Sequence, residues 1–550
     1  MRAGKRSIRG VEWATHRIAV VAATTTVAGL AVIAPAQALA QVPAAATPRS
    51  PSVRMMKVLV TSRSRPDHYD PRAVGNTLAG KRDEQKRSVT TSAVHGRVAE
   101  RSHVSRDLAV ANGVVARVTP AELAALRADP NLVVTPNAAV TVADGNFDGR
   151  DPAAVFPTTT GATQLAKGID GSGVTVAVLD TGIARLPDFG KRLVAGVDLS
   201  GEGNAFQDSY GHGTFVAGLI AGDGNSSKGA YKGEAPGANL VSVKVAGGTG
   251  VTDLATVISG INWVVSHQAQ YNIGVLNISL GAIPTTSTVL NPLDQAVETA
   301  WQAGITVVTS AGNSGPFNGT IVSPGDDPLA ITVGALDDKG STNPGDATAT
   351  DFSSVGPTNI DGWFKPDLVT SGRSVVSLRV PGSTIDKTFP LARIGKANFV
   401  GSGTSFSAAI ASGAAALVID GAKTNAPKTT PTSDDVKAQL LGTTSPGPVG
   451  NPMVDGHGAL NVLAAVSHPG LKLAQTPPTI ATPVGTTVDL QATWNRSSWN
   501  GSSWNGSSWN GSSWNGSSWN GSSWNGSSWN GSSWNGSSWN GSSWNGSTWS

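Results

Sequence analysis

The sequence contains no cysteine among its 550 residues. Disulfide bonds, which reinforce many small extracellular domains, are therefore excluded. The length allows two or three domains and one large buried core, and a chain without cross-links must rely on core size, bound ions or slow unfolding. After the first 40 residues, no stretch of the sequence is long and apolar enough to cross a bilayer.

Most of the chain also has no excess of basic over acidic residues. The net charge of +3 conceals 20 basic against 9 acidic residues through Val142, followed by 20 basic against 28 acidic residues. The basic charge therefore lies in the N-terminal segments, and the longer remainder is acidic. This charge distribution argues against nucleic-acid binding, because proteins that bind nucleic acid carry a basic surface.

The first 40 residues have the pattern of an export signal. The apolar run 18–35 follows a basic start, and Ala38-Leu39-Ala40 offers a cleavage site before Gln41. The small residues near this site favour cleavage over the alternative, an uncleaved membrane anchor. We therefore expect a secreted protein, with a composition typical of bacteria. The basic residues of the start are Lys5, Arg6, Arg9 and Arg17.

Changes in composition divide the chain into six predicted segments. Residues 55–142 are predicted to form a small α/β unit, with strands in KVLVTS, DLAVANGVVARV and NLVVTP. A helix begins at a capping box of Thr119 and Glu122, with Pro120 at its first position, and ends before Asp129-Pro130. The six segments are a signal peptide (1–40), a spacer (41–54), the small unit (55–142), a larger domain (150–468), a linker (469–493) and a tryptophan-rich tail (494–550).

The segment 150–468 alternates apolar strands with amphipathic helices. VTVAVLD, NLVSVKV, GVLNISL, GITVVTS and LAITVGA have the near-continuous apolar character of strands buried on both faces. Helical stretches such as TDLATVISGINWVVSHQAQ and NPLDQAVETAWQAG lie between them. The alternation predicts an α/β fold with a doubly wound, mostly parallel sheet. Asp180 ends the first strand and Asn313 follows the fourth, at the edge where such sheets bind ligands.

Three glycine-flanked segments carry a carboxylate, an imidazole and an alcohol. They are VLDTGI with Asp180, GHGTFVAG with His212 and GTSFSAA with Ser405. An alcohol becomes a nucleophile when an imidazole accepts its proton, and the imidazole needs a carboxylate to fix its tautomer and stabilise its charged form. Each segment alone also fits a turn or a helix cap, but the three together, at strand ends and helix starts, predict catalysis.

A fourth segment, SAGNSG, puts Asn313 just after a strand. Its amide N–H2 group would donate to an oxyanion that develops during the reaction, together with the backbone N–H of Ser405 at its helix start. Loss of one such donor typically slows the reaction by about 100- to 1,000-fold. We therefore expect Asn313 to be a catalytic residue.

Together these segments resemble the subtilisin-like serine proteases, the subtilases, over about residues 155–465. Further matches are GEAPGA, NISLG, DFSSVGP and KPDLVTSG. The resemblance implies a serine-type endopeptidase in which Asp180 orients His212, His212 is the general base and Ser405 is the nucleophile, with no cofactor for the chemistry. It also implies a cleft that pairs with an extended substrate backbone, lined by Ser279, Leu280, Gly281, Gly247, Gly248 and Gly250.

The sequence departs from the subtilase pattern in two places. Ala409 and Ile410 stand where proline and histidine are usual, and we expect altered helix packing there without loss of catalysis. GDGNSSKGAYKG is only loosely similar to the calcium-binding loop of the family. Asp223 and Asn225 are candidate ligands, but a solvated loop is the preferred interpretation, which leaves structural calcium open and predicts no metal in the site.

Residues 55–142 resemble the inhibitor-like propeptide that precedes secreted subtilases. In that family it is a ferredoxin-like unit that assists folding, and its C-terminal tail occupies the cleft until self-cleavage. A slowly folding parallel sheet, and a protease that must stay silent before export, would both need such a unit. We expect autocatalytic removal near residues 142–152; the alternative is a small domain that stays attached.

The tail repeats SSWNG from Trp494 onward, with 12 of the 16 tryptophans at five-residue spacing. This spacing turns successive indoles to opposite faces of a strand, so the repeat builds no ordinary core. A flexible linker is preferred over a surface that stacks on sugars or cell-wall polymers. The sequence thus predicts a secreted endopeptidase acting on proteins or peptides, with a cell-surface or glycan-binding protein as the alternative.

Overall fold

A computed structural model describes residues 55–63, 78–142, 154–425 and 430–469, together with Phe147, Pro152 and the strand pair Ile480–Ala481 and Thr487–Val488. All of them lie in the unit Arg54–Ser550. The predicted signal peptide, spacer and SSWNG tail, and most of the predicted linker, lie outside the described residues.

The segment up to Val142 contains a four-stranded antiparallel sheet and two helices. Its elements are β1 (Met56–Ser62), α1 (Leu78–Ala99), β2 (His103–Leu108), β3 (Gly113–Val118), α2 (Pro120–Arg127), β4 (Leu132–Pro136) and a further strand, β5 (Ala139–Val142). The sheet has the order β2-β3-β1-β4. A βαββαβ chain in this order is ferredoxin-like, as the resemblance implied.

Only one of the two helices of this segment was predicted from the sequence. α2 begins at the predicted capping box, where Thr119 N donates to Glu122 Oε2 at 2.6 Å and Glu122 N donates to Thr119 Oγ1 at 3.3 Å. The longer α1 was not predicted, because its polar run KRDEQKRSVTTS carries no continuous apolar stripe. Packing of Val94 and Val98 against the sheet compensates for that weak pattern.

The part of the chain after Val142 contains all the strands and helices that were predicted for residues 150–468. In chain order its elements are α3 (Phe156–Thr159), β6 (Thr175–Asp180), β7 (Leu193–Asp198), α4 (His212–Ala221), β8 (Asn239–Lys244), β9 (Val251–Asp253), α5 (Leu254–Ser266), α6 (Gln268–Tyr271), β10 (Ile273–Ile278), β11 (Leu280–Gly281), α7 (Pro292–Gln302), β12 (Thr306–Ser310), β13 (Ile331–Asp337), β14 (Thr348–Ala349), β15 (Leu368–Ser371), β16 (Val375–Leu378), α8 (Thr384–Thr388), β17 (Arg393–Ile394), β18 (Asn398–Gly401), α9 (Thr404–Asn425), α10 (Ser433–Gly442), α11 (Pro452–Asp455) and α12 (Val462–Ser467).

The five predicted strands lie side by side in one sheet. The order is β14-β13-β12-β10-β6-β8-β7, with β15 beside β13, and every pairing is parallel except that of β13 with β14. The predicted α/β fold with a mostly parallel sheet is therefore confirmed. Strand β7 was not predicted, because its sequence LVAGVD is only partly buried and has no continuous apolar run. The strands β14 and β15 were not predicted, because they have only two and four residues.

Helix α9 is the core helix of the fold. It packs against β10, β12 and β13 of the sheet and against α4, α10 and α12. The sequence analysis expected no stretch after residue 40 to be long and apolar enough to cross a membrane, but within the described part of the chain Thr404–Thr424 of α9 meets that test. This stretch is a core helix, because 94% of its apolar window is buried inside the protein. Ala409 and Ile410 are fully buried members of the same core.

The carboxyl edge of the parallel sheet collects the predicted site residues. β6 ends at Asp180, and Asn313 lies just beyond the end of β12. Helix α4 begins at His212, and α9 begins one residue before Ser405. The fold therefore brings four segments that are distant in the sequence to one edge.

Arg192 ties the far end of α4 to two other segments. Its Nη1 donates to the carbonyls of Ala221 at 2.6 Å and Ala238 at 3.1 Å, and its Nη2 donates to the carbonyl of Asp188 at 2.5 Å. The carboxylate of Asp223 lies 3.6 Å from the same guanidinium. Burial lowers the pKa of Arg192, and the charge of Asp223 opposes that shift.

Asp223 belongs to the loop GDGNSSKGAYKG, which was considered above as a calcium-binding site. Asp223 accepts the backbone N–H of Asn225 at 2.9 Å, as in a simple turn. In the described part of the chain, no group of three or more histidine, aspartate or glutamate side chains could hold a metal ion. The guanidinium of Arg192, 3.6 Å from the carboxylate of Asp223, supplies a positive charge beside this loop.

Replacing Arg192 with methionine keeps the apolar stem and removes the donors to three carbonyls. We expect the free energy of unfolding to fall by about 2–4 kcal/mol, because bonds from a charged donor are lost and only part of that loss is offset by ending the desolvation of the guanidinium. Denaturant unfolding followed by circular dichroism, with a serine-protease inhibitor present, measures the change.

The exposed neighbour provides the control, since Lys191→Met should change the free energy of unfolding by less than about 0.5 kcal/mol. Adding EDTA to the wild type should leave its unfolding curve unchanged. A large loss of stability on chelation would mean that a metal ion, and not Arg192, holds this loop.

Candidate active site

Asp180 and His212 form a buried hydrogen-bonded pair. Nδ1 of His212 lies 2.8 Å from Oδ1 and 3.0 Å from Oδ2 of Asp180, and both side chains are fully buried. Gly211, with a φ of 105°, turns the chain into α4 in a conformation that favours glycine. A carboxylate at Nδ1 fixes the tautomer in which Nε2 is the basic atom.

Ser405 lies in the first turn of α9, close to this pair. The ring of the next residue, Phe406, has its centroid 5.6 Å from that of His212, so the start of α9 packs against the imidazole. Oγ of Ser405 donates to the carbonyl of Ser279 at 3.2 Å, and Oγ of Ser279 donates to the carbonyl of Ser405 at 3.1 Å. The first turn of α9, which carries Ser405, therefore packs beside the buried pair of Asp180 and His212.

Asn313 contacts the residue that precedes Ser405. Its Oδ1 accepts hydrogen bonds from the backbone N–H and from Oγ1 of Thr404, both at 2.9 Å. The hydroxyl of Thr404 in turn accepts the backbone N–H of Gly312 at 3.1 Å. The amide oxygen of Asn313 is therefore bonded to the first residue of α9.

One wall of the cleft next to Ser405 is strand β11, and β5 pairs with it. β5 is the middle strand of a three-stranded sheet in the order β11-β5-β9. Val142 lies opposite Leu280, and Thr141 lies opposite Gly281, in an antiparallel register. The predicted residues Leu280 and Gly281 thus pair with an extended backbone.

The other wall of the cleft lies slightly further along the chain than predicted. Gly250 accepts the backbone N–H of Val142 at 3.1 Å, and β9, which follows it, pairs with β5. Gly247 and Gly248 lie in the preceding turn, where the N–H of Gly248 donates to Glu202 at 2.8 Å. Strand β9 was not predicted, because its three residues are too few for a strand signal.

The segment 55–142 also contacts two helices next to the cleft. Lys57 forms an ion pair at 2.8 Å with Asp253, the residue that caps α5. Oδ1 of Asn137 accepts the backbone N–H of Ala255 in the first turn of that helix at 2.9 Å. On α7, the hydroxyl of Thr299 donates to the carbonyl of Val110 at 2.8 Å.

The two ends of this contact surface differ in solvent exposure. The Lys57–Asp253 pair is partly exposed, with side-chain exposures of 41% and 33%, so screening by water keeps its contribution small. Thr299 is 4% exposed, so its hydrogen bond to Val110 is protected from water. The hydrogen bond on α7 is therefore better shielded from solvent than the Lys57–Asp253 pair on α5.

Comparisons with known proteins agree on a single family. Residues 171–462 match the model of the subtilase family. Serine protease AprX of Bacillus subtilis (strain 168) is 42% identical over 311 residues, which cover 55% of this chain and 67% of that protein. Subtilisin E of the same strain is 35% identical over 303 residues, covering 54% and 67%. Subtilisin Savinase of Lederbergia lenta is 35% identical over 252 residues, covering 46% and 78%.

The predicted site residues Asp180, His212, Asn313 and Ser405 all lie inside the matched region 171–462. The match covers more than half of the chain, and AprX is similar over two thirds of its own length. The chain therefore belongs to the subtilase family and is a serine-type endopeptidase.

Proposed function

We propose that this chain is the precursor of a secreted endopeptidase that cleaves peptide bonds through Asp180, His212 and Ser405. The observation that carries the proposal is the 2.8 Å contact between Asp180 and Nδ1 of His212, two fully buried groups beside the helix start that holds Ser405. A buried carboxylate at Nδ1 orients the ring and stabilises the imidazolium that forms when Nε2 accepts a proton.

The proposed reaction follows from these roles. Oγ of Ser405 attacks the substrate carbonyl as His212 accepts its proton, and an acyl-enzyme forms when the imidazolium returns that proton to the leaving amine. The oxyanion of the tetrahedral intermediate accepts hydrogen bonds from the N–H2 group of Asn313 and the backbone N–H of Ser405. Water then hydrolyses the acyl-enzyme, with His212 again acting as base.

The first test compares the precursor with its Ser405→Ala variant by mass spectrometry. The wild type should lose its N-terminal segment and react with a fluorophosphonate probe, whereas the alanine variant should do neither, because it lacks the attacking oxygen. Ser407→Ala is the matched control: Ser407 is equally buried in α9, but its hydroxyl donates to the carbonyls of Thr370 and Ser371. A Ser405→Ala protein that matures and reacts with the probe would contradict the assignment.

We further propose that the segment 55–142 is an intramolecular inhibitor removed by self-cleavage. Support comes from β5, which pairs with both walls of the cleft, and from the contacts of this segment with α5 and α7. Val140 is fully buried in the cleft strand, while Thr141 is exposed. An apolar side chain therefore anchors the strand on one face.

The pairing register predicts which bond is cut. Val142 lies opposite Leu280 in an antiparallel register, and Ser279, the residue before Leu280, is bonded to Ser405. A substrate that continued this register by one position would bring the bond after that position to Ser405. We expect the bond after Ala143 to be cleaved, giving a mature chain that starts at Asp144. N-terminal sequencing of the mature protein tests this directly.

Variants of the cleft strand test the same register. Val140→Asp should slow the release of the N-terminal segment, because the buried position cannot accept a carboxylate without a large desolvation cost. Thr141→Asp, on the exposed face, should slow release much less. A mature chain that starts beyond residue 152, or equal rates for the two variants, would contradict the proposed register.

Export is supported by the signal pattern of the first 40 residues, and the tail leaves a second candidate function open. This candidate is a surface of regularly spaced tryptophans, 12 in the tail, that binds glycans or cell-wall polymers, with the protease serving maturation. We prefer the endopeptidase as the main activity, because its site lies entirely within the subtilase region.

Truncation after residue 490 separates the two candidates. The shortened protein should hydrolyse casein at the rate of the full chain, because no residue of the proposed site lies in the tail. Binding to insoluble cell-wall material, measured in parallel with both proteins after blocking Ser405 with an inhibitor, reports on the tail itself. A truncated protein that has lost its hydrolytic activity would favour the tail as the functional part.

A further inference from the structure

Asp208 is a buried carboxylate just ahead of the helix that carries His212. It is 2% exposed and accepts three hydrogen bonds. Its Oδ1 accepts the backbone N–H of Gly211 at 2.7 Å and the hydroxyl of Thr181 at 2.8 Å, and its Oδ2 accepts the backbone N–H of Thr214 at 2.8 Å. One carboxylate therefore holds both the first turn of α4 and the residue that follows Asp180.

The hydroxyl of Thr181 has a defined orientation between Asp208 and α4. Its oxygen accepts the backbone N–H of Gly213, the residue after His212, at 2.9 Å, so its own proton points to Asp208. The backbone N–H of Thr181 donates to Oδ1 of Asp180 at 2.7 Å. Thr181 thus contacts the carboxylate of the buried pair through its backbone and the helix of the imidazole through its side chain.

Lys244 holds the same two segments from the other side. Its ammonium is fully buried and donates to the carbonyls of Thr181 and Gln207, each at 2.7 Å. The carboxylate of Glu202 lies 3.0 Å away and balances its charge. Because Gln207 directly precedes Asp208, Lys244 and Asp208 clamp the end of β6 to the loop that enters α4.

All the partners of Asp208 are donors, which favours a carboxylate over an amide at this position. Burial raises the pKa of Asp208, and the hydrogen bonds from Gly211 and Thr214 oppose that rise. An asparagine here would turn an N–H2 group towards groups that donate. The site is thus specific for a carboxylate, and a substitution of equal size is expected to disturb it.

We propose that Asp208 is a positioning residue, which sets the distance and orientation between Asp180 and His212 and thereby the turnover rate. The inference rests on the roles proposed above for those two residues. Displacements of about 1 Å in a catalytic geometry cost up to about 100-fold in rate. Asp208 touches neither substrate nor reacting atoms, so its removal acts on kcat and leaves substrate binding nearly unchanged.

The test measures kcat and KM of the mature Asp208→Asn enzyme on a peptide substrate, with the concentration of active sites determined by a fluorophosphonate probe. We expect kcat per active site to fall about 10- to 100-fold, with KM within about twofold of the wild type. Thr181→Val is a milder variant that keeps the backbone bonds to Asp208. It should lower kcat in the same direction, and the double variant should lose less than the product of the two effects.

Asp420→Asn is the matched control. Asp420 is also a buried carboxylate that accepts two backbone N–H groups, those of Asp170 at 3.0 Å and Gly171 at 2.9 Å, but it lies at the opposite end of β6. Its variant should lower the melting temperature while kcat per active site stays within about twofold of the wild type.

The outcomes separate this inference from the proposed function. If Asp208→Asn and Thr181→Val both keep the wild-type kcat per active site, or change it no more than Asp420→Asn does, Asp208 only stabilises the fold and the inference is wrong. If Ser405→Ala stays active, the proposed function fails instead, whatever Asp208 does. An Asp208→Asn precursor that does not mature leaves Thr181→Val to decide.

Discussion

The water-excluded contact between Asp180 and His212 is the interaction on which the site depends. A buried carboxylate is costly without donors, and Asp180 receives them from Nδ1 of His212 and the backbone N–H of Thr181. The contact requires α4 to approach the end of β6 closely. A Cβ on Gly213 would lie 2.3 Å from the carbonyl of Gly182, so the glycine after the histidine is needed for that approach.

Chemistry and secondary structure explain why most of the site could be predicted from the sequence. Asp180 and Asn313 were predicted because they follow or end buried strands at a shared edge of the sheet. His212 and Ser405 were predicted because they lie at glycine-flanked helix starts. The five apolar strands were equally visible, because burial on both faces leaves continuous runs of apolar residues. Residue type and local pattern carry this information.

Long-range partners could not be predicted in the same way. Thr404 and Asn313 are 91 positions apart, and Lys244 lies 63 positions from Thr181, so no local pattern links them. Asp208 resembles any polar residue of a loop until its three donors are seen together. The limit is physical: hydrogen bonds between segments depend on the packed arrangement of strands and helices, which one sequence does not specify residue by residue.

Two cations that each bind several carbonyls link parts of this cysteine-free chain. Arg192 binds three carbonyls from separate segments, and the ammonium of Lys437 donates to those of Pro328, Leu329 and Ala330 at 3.0, 3.2 and 2.9 Å. A disulfide also restricts the unfolded chain, whereas these contacts exist only once distant segments have met. They therefore stabilise the completed fold without guiding its formation. Because such contacts form late, they do not speed the folding of the parallel sheet. The resemblance to subtilases gives the role of a folding aid to segment 55–142.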